Sequence, residues 1–171
     1  NFIIMFSSIF IDAWQLSAVD EYDNDGKGRF FTNVFRVYSG GVFAAASGLI
    51  VFCQLITKIL VSSSYYDSWQ YVPILIISTT LSCFVNFLAS VYMASKKTIM
   101  GMVTAFAGAI TNVVLNLILI PRMGPSGAAV ATVTAFIVVF ITRAIDTKKY
   151  VNINFSTPAM VTEVVILAAQ A

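Results

Sequence analysis

The sequence predicts an all-α membrane protein, a bundle of about five to six transmembrane helices. Hydrophobic residues make up 58% of the 171 residues and charged residues 11%, whereas charged residues are about a quarter of a soluble domain. The apolar residues form repeated continuous runs, several of them longer than the roughly 18 residues that indicate a membrane span. The runs do not alternate as a membrane β-strand would. Lipid is therefore the predicted solvent of this chain.

Two apolar runs at the start of the chain enclose a polar stretch. Residues 1–19 are the first predicted span and residues 37–61 the second. Residues 20–36 contain acidic, basic and phenylalanine residues, which predicts an interfacial segment that leads into the second helix. Small residues recur at every fourth position of the second span, a pattern that favours close packing of helices in lipid: Gly40, Ala44 and Gly48.

The remaining spans follow with short connections. In chain order they cover residues 71–94, 99–120, 128–145 and 156–171, the last of them incomplete. The connections cover residues 62–70, 95–98, 121–127 and 146–154. The third connection contains two prolines and two glycines, which predicts a tight turn. Both ends of the sequence lie in apolar runs, so we expect the chain to be a fragment of a longer protein.

The basic residues predict the orientation of the spans. When alternate connections are assigned to opposite sides, Arg122 lies alone on one side. The other side then carries Lys27, Arg29, Arg36, Lys96, Lys97, Arg143, Lys148 and Lys149. Cytoplasmic connections are rich in lysine and arginine, so residues 20–36, 95–98 and 146–154 are predicted to be cytoplasmic.

Polar side chains inside the spans are the candidates for a functional site, because they are costly in lipid and turn toward a bundle interior or a cavity. Serine and threonine residues at these positions are predicted to hydrogen-bond neighbouring helices. Two interpretations stay open for the asparagines of the third and fourth spans: they line a polar passage, or they bind helices together. These asparagines are Asn86, Asn112 and Asn116.

Ionisable residues inside spans are the sharper candidates. Lys58 lies four residues after Gln54 in the second span, and the two share a helix face. Snorkelling of its long side chain to the outer interface is the competing explanation for Lys58. Asp12 lies about two turns from the inner interface, which is deep for a short side chain. The candidates for lining a substrate path are therefore six residues: Asp12, Gln54, Lys58, Asn86, Asn112 and Asn116.

The composition argues against several other classes of protein. The sequence contains no histidine, which excludes serine–histidine and cysteine–histidine catalytic arrangements and most metal sites. No glycine-rich phosphate loop precedes a helix. We therefore expect no enzyme activity, no cofactor and no metal, and there is no basic arm for nucleic acid. Cys53 and Cys83 each lie inside an apolar run and are interpreted as small buried hydrophobic residues.

Residues 71–132 resemble a known family. The segments that carry the resemblance are YVP at 71–73, YMASKKT at 92–98 and GAITNVVLNLILIPRMGPSGAAVAT at 108–132. They are similar to the polysaccharide biosynthesis and O-antigen flippase family, which belongs to the multidrug, oligosaccharidyl-lipid and polysaccharide exporter superfamily. The rest of the chain resembles that family more loosely.

The resemblance implies a transporter of two pseudo-symmetric helix bundles, with this chain in the second. It implies that undecaprenyl-diphosphate-linked oligosaccharide is flipped across a bacterial cytoplasmic membrane by alternating access, with envelope polymerase or assembly proteins as partners. A cationic lumen is expected for such a substrate, and Lys58 is the basic residue that we expect to contribute to it. Two alternatives remain: a cation-coupled drug or metabolite exporter that uses Asp12, and a membrane scaffold in envelope assembly that transports nothing.

Overall fold

The computed structural model describes residues 2–24, 26–60 and 71–153, together with positions 162, 166, 167 and 170. The described part is all-α and contains no strand, as the sequence predicts. Its helices in chain order are α1 Phe2–Glu21, α2 Lys27–Val51, α3 Cys53–Leu60, α4 Val72–Ala94, α5 Thr98–Met123 and α6 Pro125–Thr147. All of these except α3 are long and apolar enough to cross a membrane. The predicted connection 62–70 lies outside the described residues, as does most of the predicted span 156–171.

Helix α2 begins earlier than the predicted second span. It starts at Lys27 instead of residue 37, so most of the predicted interfacial segment 20–36 is helical. The reason is that Phe31 and Phe35, one turn apart, are both buried in the core and their packing extends the helix. The face that carries Gly40 and Ala44 is exposed, and a Cβ at Gly40 would meet no atom within 4 Å. The close packing predicted for this face is therefore not found among the described residues.

The second predicted span is also interrupted. Helix α2 ends at Val51, and α3 begins directly after Phe52. The backbone N–H of Phe52 still donates to the carbonyl of Gly48 at 3.1 Å, and its own carbonyl accepts from Ile56 at 2.9 Å. The interruption is thus a local distortion of the helical hydrogen bonding and not a loop.

The predicted turn at residues 121–127 consists of a single residue, Gly124. Helix α5 continues through Pro121 to Met123, and Pro125 is already in the first turn of α6, where a proline loses no hydrogen bond. Gly124 has φ 60° and ψ −138°, a backbone conformation that is essentially restricted to glycine. Two long helices are therefore joined almost without a connection.

Helix α4 is the centre of the bundle and packs against α1, α2, α5 and α6. Helix α5 packs mainly on α6, and its outer surface is apolar and exposed. Phe106, Ile110 and Leu117, for example, are 62%, 63% and 74% exposed. An apolar exposed surface on a helix of 26 residues is what a membrane-facing helix requires.

Aromatic rings fill the core between α1, α2 and α4. The indole of Trp14 stacks on Phe87 with 5.3 Å between ring centroids, and it meets the edge of Phe31 at 5.0 Å. Its Nε1–H donates to the hydroxyl of Ser90 at 2.8 Å. Ser90 therefore forms the interhelical hydrogen bond that the sequence predicts for serines inside spans.

The connections that are predicted to be cytoplasmic lie at one end of the bundle. Helices α1 and α4 run parallel, as two sets of hydrogen bonds show. Trp14 of α1 bonds to Ser90 of α4. Earlier in both helices, Tyr38 of α2 bonds to Ser7 of α1 and to the carbonyl of Cys83 in α4. The ends of α4 and α6 are tied by a hydrogen bond of 3.0 Å from the Tyr92 hydroxyl to Asp146. The chain after α6 then contacts the start of α2. The contact is close, since a Cβ added to Gly28 would lie 3.1 Å from the carbonyl oxygen of Asn152.

This arrangement predicts the result of a labelling experiment. Lys96, Lys148 and Arg122 are all exposed, and the first two lie at the end of the bundle opposite to the third. We expect K96C and K148C to react with a membrane-impermeant maleimide from the same face of sealed vesicles, and R122C to react from the other face. The native Cys53 and Cys83 are buried and keep the background low. Labelling of K96C and K148C from opposite faces would contradict both the topology and the charge pattern.

Candidate functional site

Two grooves in the bundle are lined in part by polar side chains that lie inside spans. The larger has a volume of about 440 Å³ and lies between α4, α5 and α6. We call it the large groove; its polar lining consists of Asn86, Asn112, Thr132 and Arg143. The smaller has a volume of about 190 Å³ and lies between α1 and α4. We call it the small groove; its polar lining consists of Ser7, Ser8, Asp12, Gln15, Ser82 and Asn86.

Asn86 belongs to both grooves. It lies near the middle of α4, the central helix of the bundle, and its side chain is exposed. Asp12 of α1 lines the small groove with it, and Asn112 of α5 lines the large groove with it. The structure thus places three of the predicted site residues in two grooves that share Asn86.

Hydrogen bonds link the polar residues of α5 and α6. Asn116 Nδ2 donates to Asn112 Oδ1 at 2.8 Å, and Asn112 Nδ2 donates to the Thr132 hydroxyl at 3.3 Å. The Oδ1 atom of Asn116 is buried and accepts no hydrogen bond from the described residues. A buried acceptor without a donor costs about 1–3 kcal/mol. Asn112 therefore connects α5 to α6 and also lines the large groove, whereas the hydrogen bond of Asn116 lies within α5. A role for the asparagines in a polar passage stays a prediction.

Gly108 permits this contact between α5 and α6. It is buried, and a Cβ at this position would overlap the side chain of Val139. The two helix backbones can approach closely because Gly108 has no side chain. One turn further along α5, this approach places Asn112 within hydrogen-bond distance of Thr132.

Arg143 is the charged residue of the large groove. It is only 6% exposed, and its guanidinium lies 5.9 Å from the ring centroid of Tyr92. Its Nε–H donates to the Thr104 hydroxyl at 2.9 Å. Its two terminal nitrogens donate to the carbonyl oxygens of Val85 and Gly101 at 2.8 Å and 3.0 Å. Arg143 therefore connects α6 to both α4 and α5.

The nearest acidic residue along α6 is engaged elsewhere. Asp146 accepts hydrogen bonds from Tyr92 and from Lys149, the latter at 2.9 Å. The hydrogen bond and the charge of this carboxylate raise the pKa of the exposed Lys149 ammonium above its usual value. Lys149 lies beyond the end of α6. The ion pair is therefore a feature of the end of the bundle and not of the groove.

Two predicted site residues lie away from both grooves. Gln54 and Lys58 are exposed on α3 and line neither the large nor the small groove. The contribution of Lys58 to a polar passage therefore stays a prediction, and the basic residue that lines the large groove is Arg143. The charge pattern alone groups Arg143 with the basic residues of the cytoplasmic connections, since it lies close to the predicted end of its span.

The spacing of residues along α6 contains a pattern that predicts burial of Arg143. Buried positions recur at every fourth residue along α6, and Arg143 continues a series of small and β-branched residues: Gly127, Ala131, Ala135 and Val139. Such a series indicates one packed helix face. An arginine in register with that face is predicted to be buried, whereas an arginine in a connection has no such register.

No family model, no curated protein and no solved structure matches this chain. The fold itself defines the class: the chain is a multi-pass α-helical membrane protein with polar grooves inside its bundle. No group of histidine, cysteine or acidic residues in the described part of the chain could hold a metal ion. The two grooves offer amides, hydroxyls, the Asp12 carboxylate and the Arg143 guanidinium, which are groups that bind a hydrophilic solute by hydrogen bonds.

Proposed function

We propose that this chain is part of a flippase that moves lipid-linked oligosaccharide across a bacterial cytoplasmic membrane by alternating access. The observation that carries the proposal is that Asn86, near the middle of a helix of transmembrane length, lines two grooves that each contain further polar side chains. The resemblance of residues 71–132 to the O-antigen flippase family supports the same function. The second bundle implied by that resemblance would face these grooves, with envelope assembly proteins as partners.

The grooves suit a sugar because of the chemistry of their lining. Each amide or hydroxyl can both donate and accept hydrogen bonds, as can each hydroxyl of a sugar. Asn86 and Asn112 lie at the middle of α4 and α5, where the membrane is otherwise apolar. These two residues would bind the sugar as it passes the middle of the bilayer.

The large groove is also open toward the side of the bundle. Ala105 and Ala109 of α5 are both exposed and both line it, and the neighbouring outer surface of α5 is apolar. A sugar head group bound at Asn112 could therefore remain attached to a lipid tail that stays in the bilayer. A closed internal channel would not allow this.

Transport by Asn112 variants tests the proposal. The intact protein is reconstituted in proteoliposomes that contain fluorescent undecaprenyl-diphosphate-linked oligosaccharide, and movement between leaflets is followed by accessibility of the label to a quencher. We expect N112A and N86A to lower the flipping rate by roughly tenfold, the effect of losing one or two hydrogen bonds in the transition state. Asn33 is an exposed asparagine of α2, and N33A is the matched control. Equal rates for N112A, N86A and N33A would refute the assignment of the grooves.

A cation-coupled exporter is the second candidate, and the position of Asp12 favours it. Its carboxylate lies in the small groove with Ser8, Gln15 and Asn86, whose oxygens could join it in binding a cation. In this case D12N abolishes export driven by an ion gradient, whereas in a flippase without ion coupling D12N leaves flipping unchanged. If neither lipid-linked sugar nor a small cationic solute moves under any imposed gradient, the chain is a scaffold and both transport functions are excluded.

A further inference from the structure

Arg143 is a buried cation without an anionic partner in the described part of the chain. Its three hydrogen bonds go to one hydroxyl and two backbone carbonyls. The one ion pair among the described residues joins Lys149 to Asp146. Carbonyl dipoles and the face of the Tyr92 ring stabilise the charge in part. Backbone carbonyls are a usual partner of a charge inside a membrane protein, but they leave the net positive charge of the guanidinium in place.

The guanidinium has donors left for a ligand. It carries five N–H groups, one on Nε and two on each terminal nitrogen. The bonds to Thr104, Val85 and Gly101 use one on each nitrogen. One N–H remains on each terminal nitrogen, and guanidinium N–H groups are strong donors to phosphate oxygens.

The rest of the large groove suits an apolar chain. From Arg143 the groove follows α6 to Thr132, roughly 16 Å away along the helix, and most of its lining is aliphatic or aromatic. The walls include Ala105, Ala109, Ala135, Phe136 and Val139. The exposed positions among them lie on α5, whose outer surface faces the membrane. A site with a cation at one end and apolar walls that open to the bilayer has the shape of a lipid site.

We propose that the large groove binds a lipid-borne phosphate group, with the phosphate on Arg143 and the lipid chain leaving the groove past Ala105 and Ala109 of α5 into the bilayer. This site does not depend on the proposed flippase function, since a bilayer phospholipid would fit the same chemistry as an isoprenoid carrier. Bound phosphate supplies the anionic partner of Arg143. The alternative is that Arg143 acts only as a connection between α4, α5 and α6.

Native mass spectrometry of the intact protein, released from dodecyl maltoside, tests the proposal with lipids added singly. The probes are dioleoyl phosphatidylglycerol, undecaprenyl phosphate, and dioleoylglycerol as a phosphate-free lipid with the same acyl chains. We expect at least one phosphate-bearing probe to remain bound, with an affinity about tenfold or more above that of dioleoylglycerol. Retention of phosphatidylglycerol alone identifies a bilayer lipid, and retention of undecaprenyl phosphate alone identifies the carrier. Equal retention of all three would overturn the proposal.

Variants of the site complete the test. R143Q is expected to lower the affinity about tenfold or more, and R143K to restore part of it, because lysine keeps the charge and loses the paired N–H geometry. R122Q changes an exposed arginine at the other end of α5 and should have no effect. If R143Q does not fold, A109W tests the proposal in its place, because it fills the groove at an exposed position and leaves Arg143 intact. A109W should then lower the affinity for the phosphate-bearing lipid. Binding that is unchanged in A109W would show that the phosphate site lies elsewhere.

Discussion

Replacing Trp14 with alanine is expected to destabilise the bundle by about 3 kcal/mol, which is the lower end of the range for large buried aromatic residues. The lower end applies because apolar surface released in lipid is not exposed to water, so the loss of packing contacts dominates. Trp14 is 5% exposed and its ring contacts Phe30, Phe31 and Phe87. Aromatic pairs of this kind contribute about 0.5–1.5 kcal/mol each. The measurement is the free energy of unfolding in mixed micelles titrated with a denaturing detergent.

The matched variant is W14F, which retains a ring and removes the hydrogen bond to Ser90. Interhelical hydrogen bonds in membrane proteins contribute about 0.6 kcal/mol on average, so W14F should cost far less than W14A. The difference between the two variants separates ring packing from hydrogen bonding. An equal loss in both would mean that the bond to Ser90, and not the aromatic core, determines the stability of the contact between α1 and α4.

The helices follow from local sequence, because hydropathy alone determines which segments are stable in lipid. The exceptions have physical reasons. Residues 27–36 carry three basic residues, Lys27, Arg29 and Arg36, which predicts a position at the interface. Phe31 and Phe35 nevertheless extend the helix into the core. The break at Phe52 contains neither proline nor glycine, so nothing in the local sequence indicates it.

The candidate site depends on contacts between helices, and the sequence predicts only its components. Helical spacing places Asn112 and Asn116 on one face of α5, and the hydrogen bond between them agrees with that. The pairing of Asn112 with Thr132 requires the close approach at Gly108, which no periodicity reveals. Lys58 stood out as a charge inside an apolar run. Its placement on the separate helix α3 removes it from both grooves.

A second large effect is expected where α5 and α6 join. Gly127 is buried, and a Cβ there would lie 2.5 Å from the carbonyl oxygen of Leu119 and 2.7 Å from its carbonyl carbon. Both atoms belong to the backbone of α5, so no side-chain rotation can relieve the overlap. G127A should therefore force the two helices apart and destabilise the protein by about 1–3 kcal/mol, the usual cost of overpacking.

The control for G127A is G40A. A Cβ at Gly40 meets nothing within 4 Å, and alanine is favoured over glycine inside a helix by about 1 kcal/mol. G40A should therefore leave the free energy of unfolding unchanged or raise it, whereas G127A lowers it. The two substitutions are chemically identical, so opposite signs can come only from the surroundings of each glycine.

Since Asn112 meets Thr132 across the same pair of helices, separation of α5 and α6 in G127A should also lower any activity that depends on the large groove. Loss of stability with full groove activity would mean that the groove tolerates a shift of the two helices.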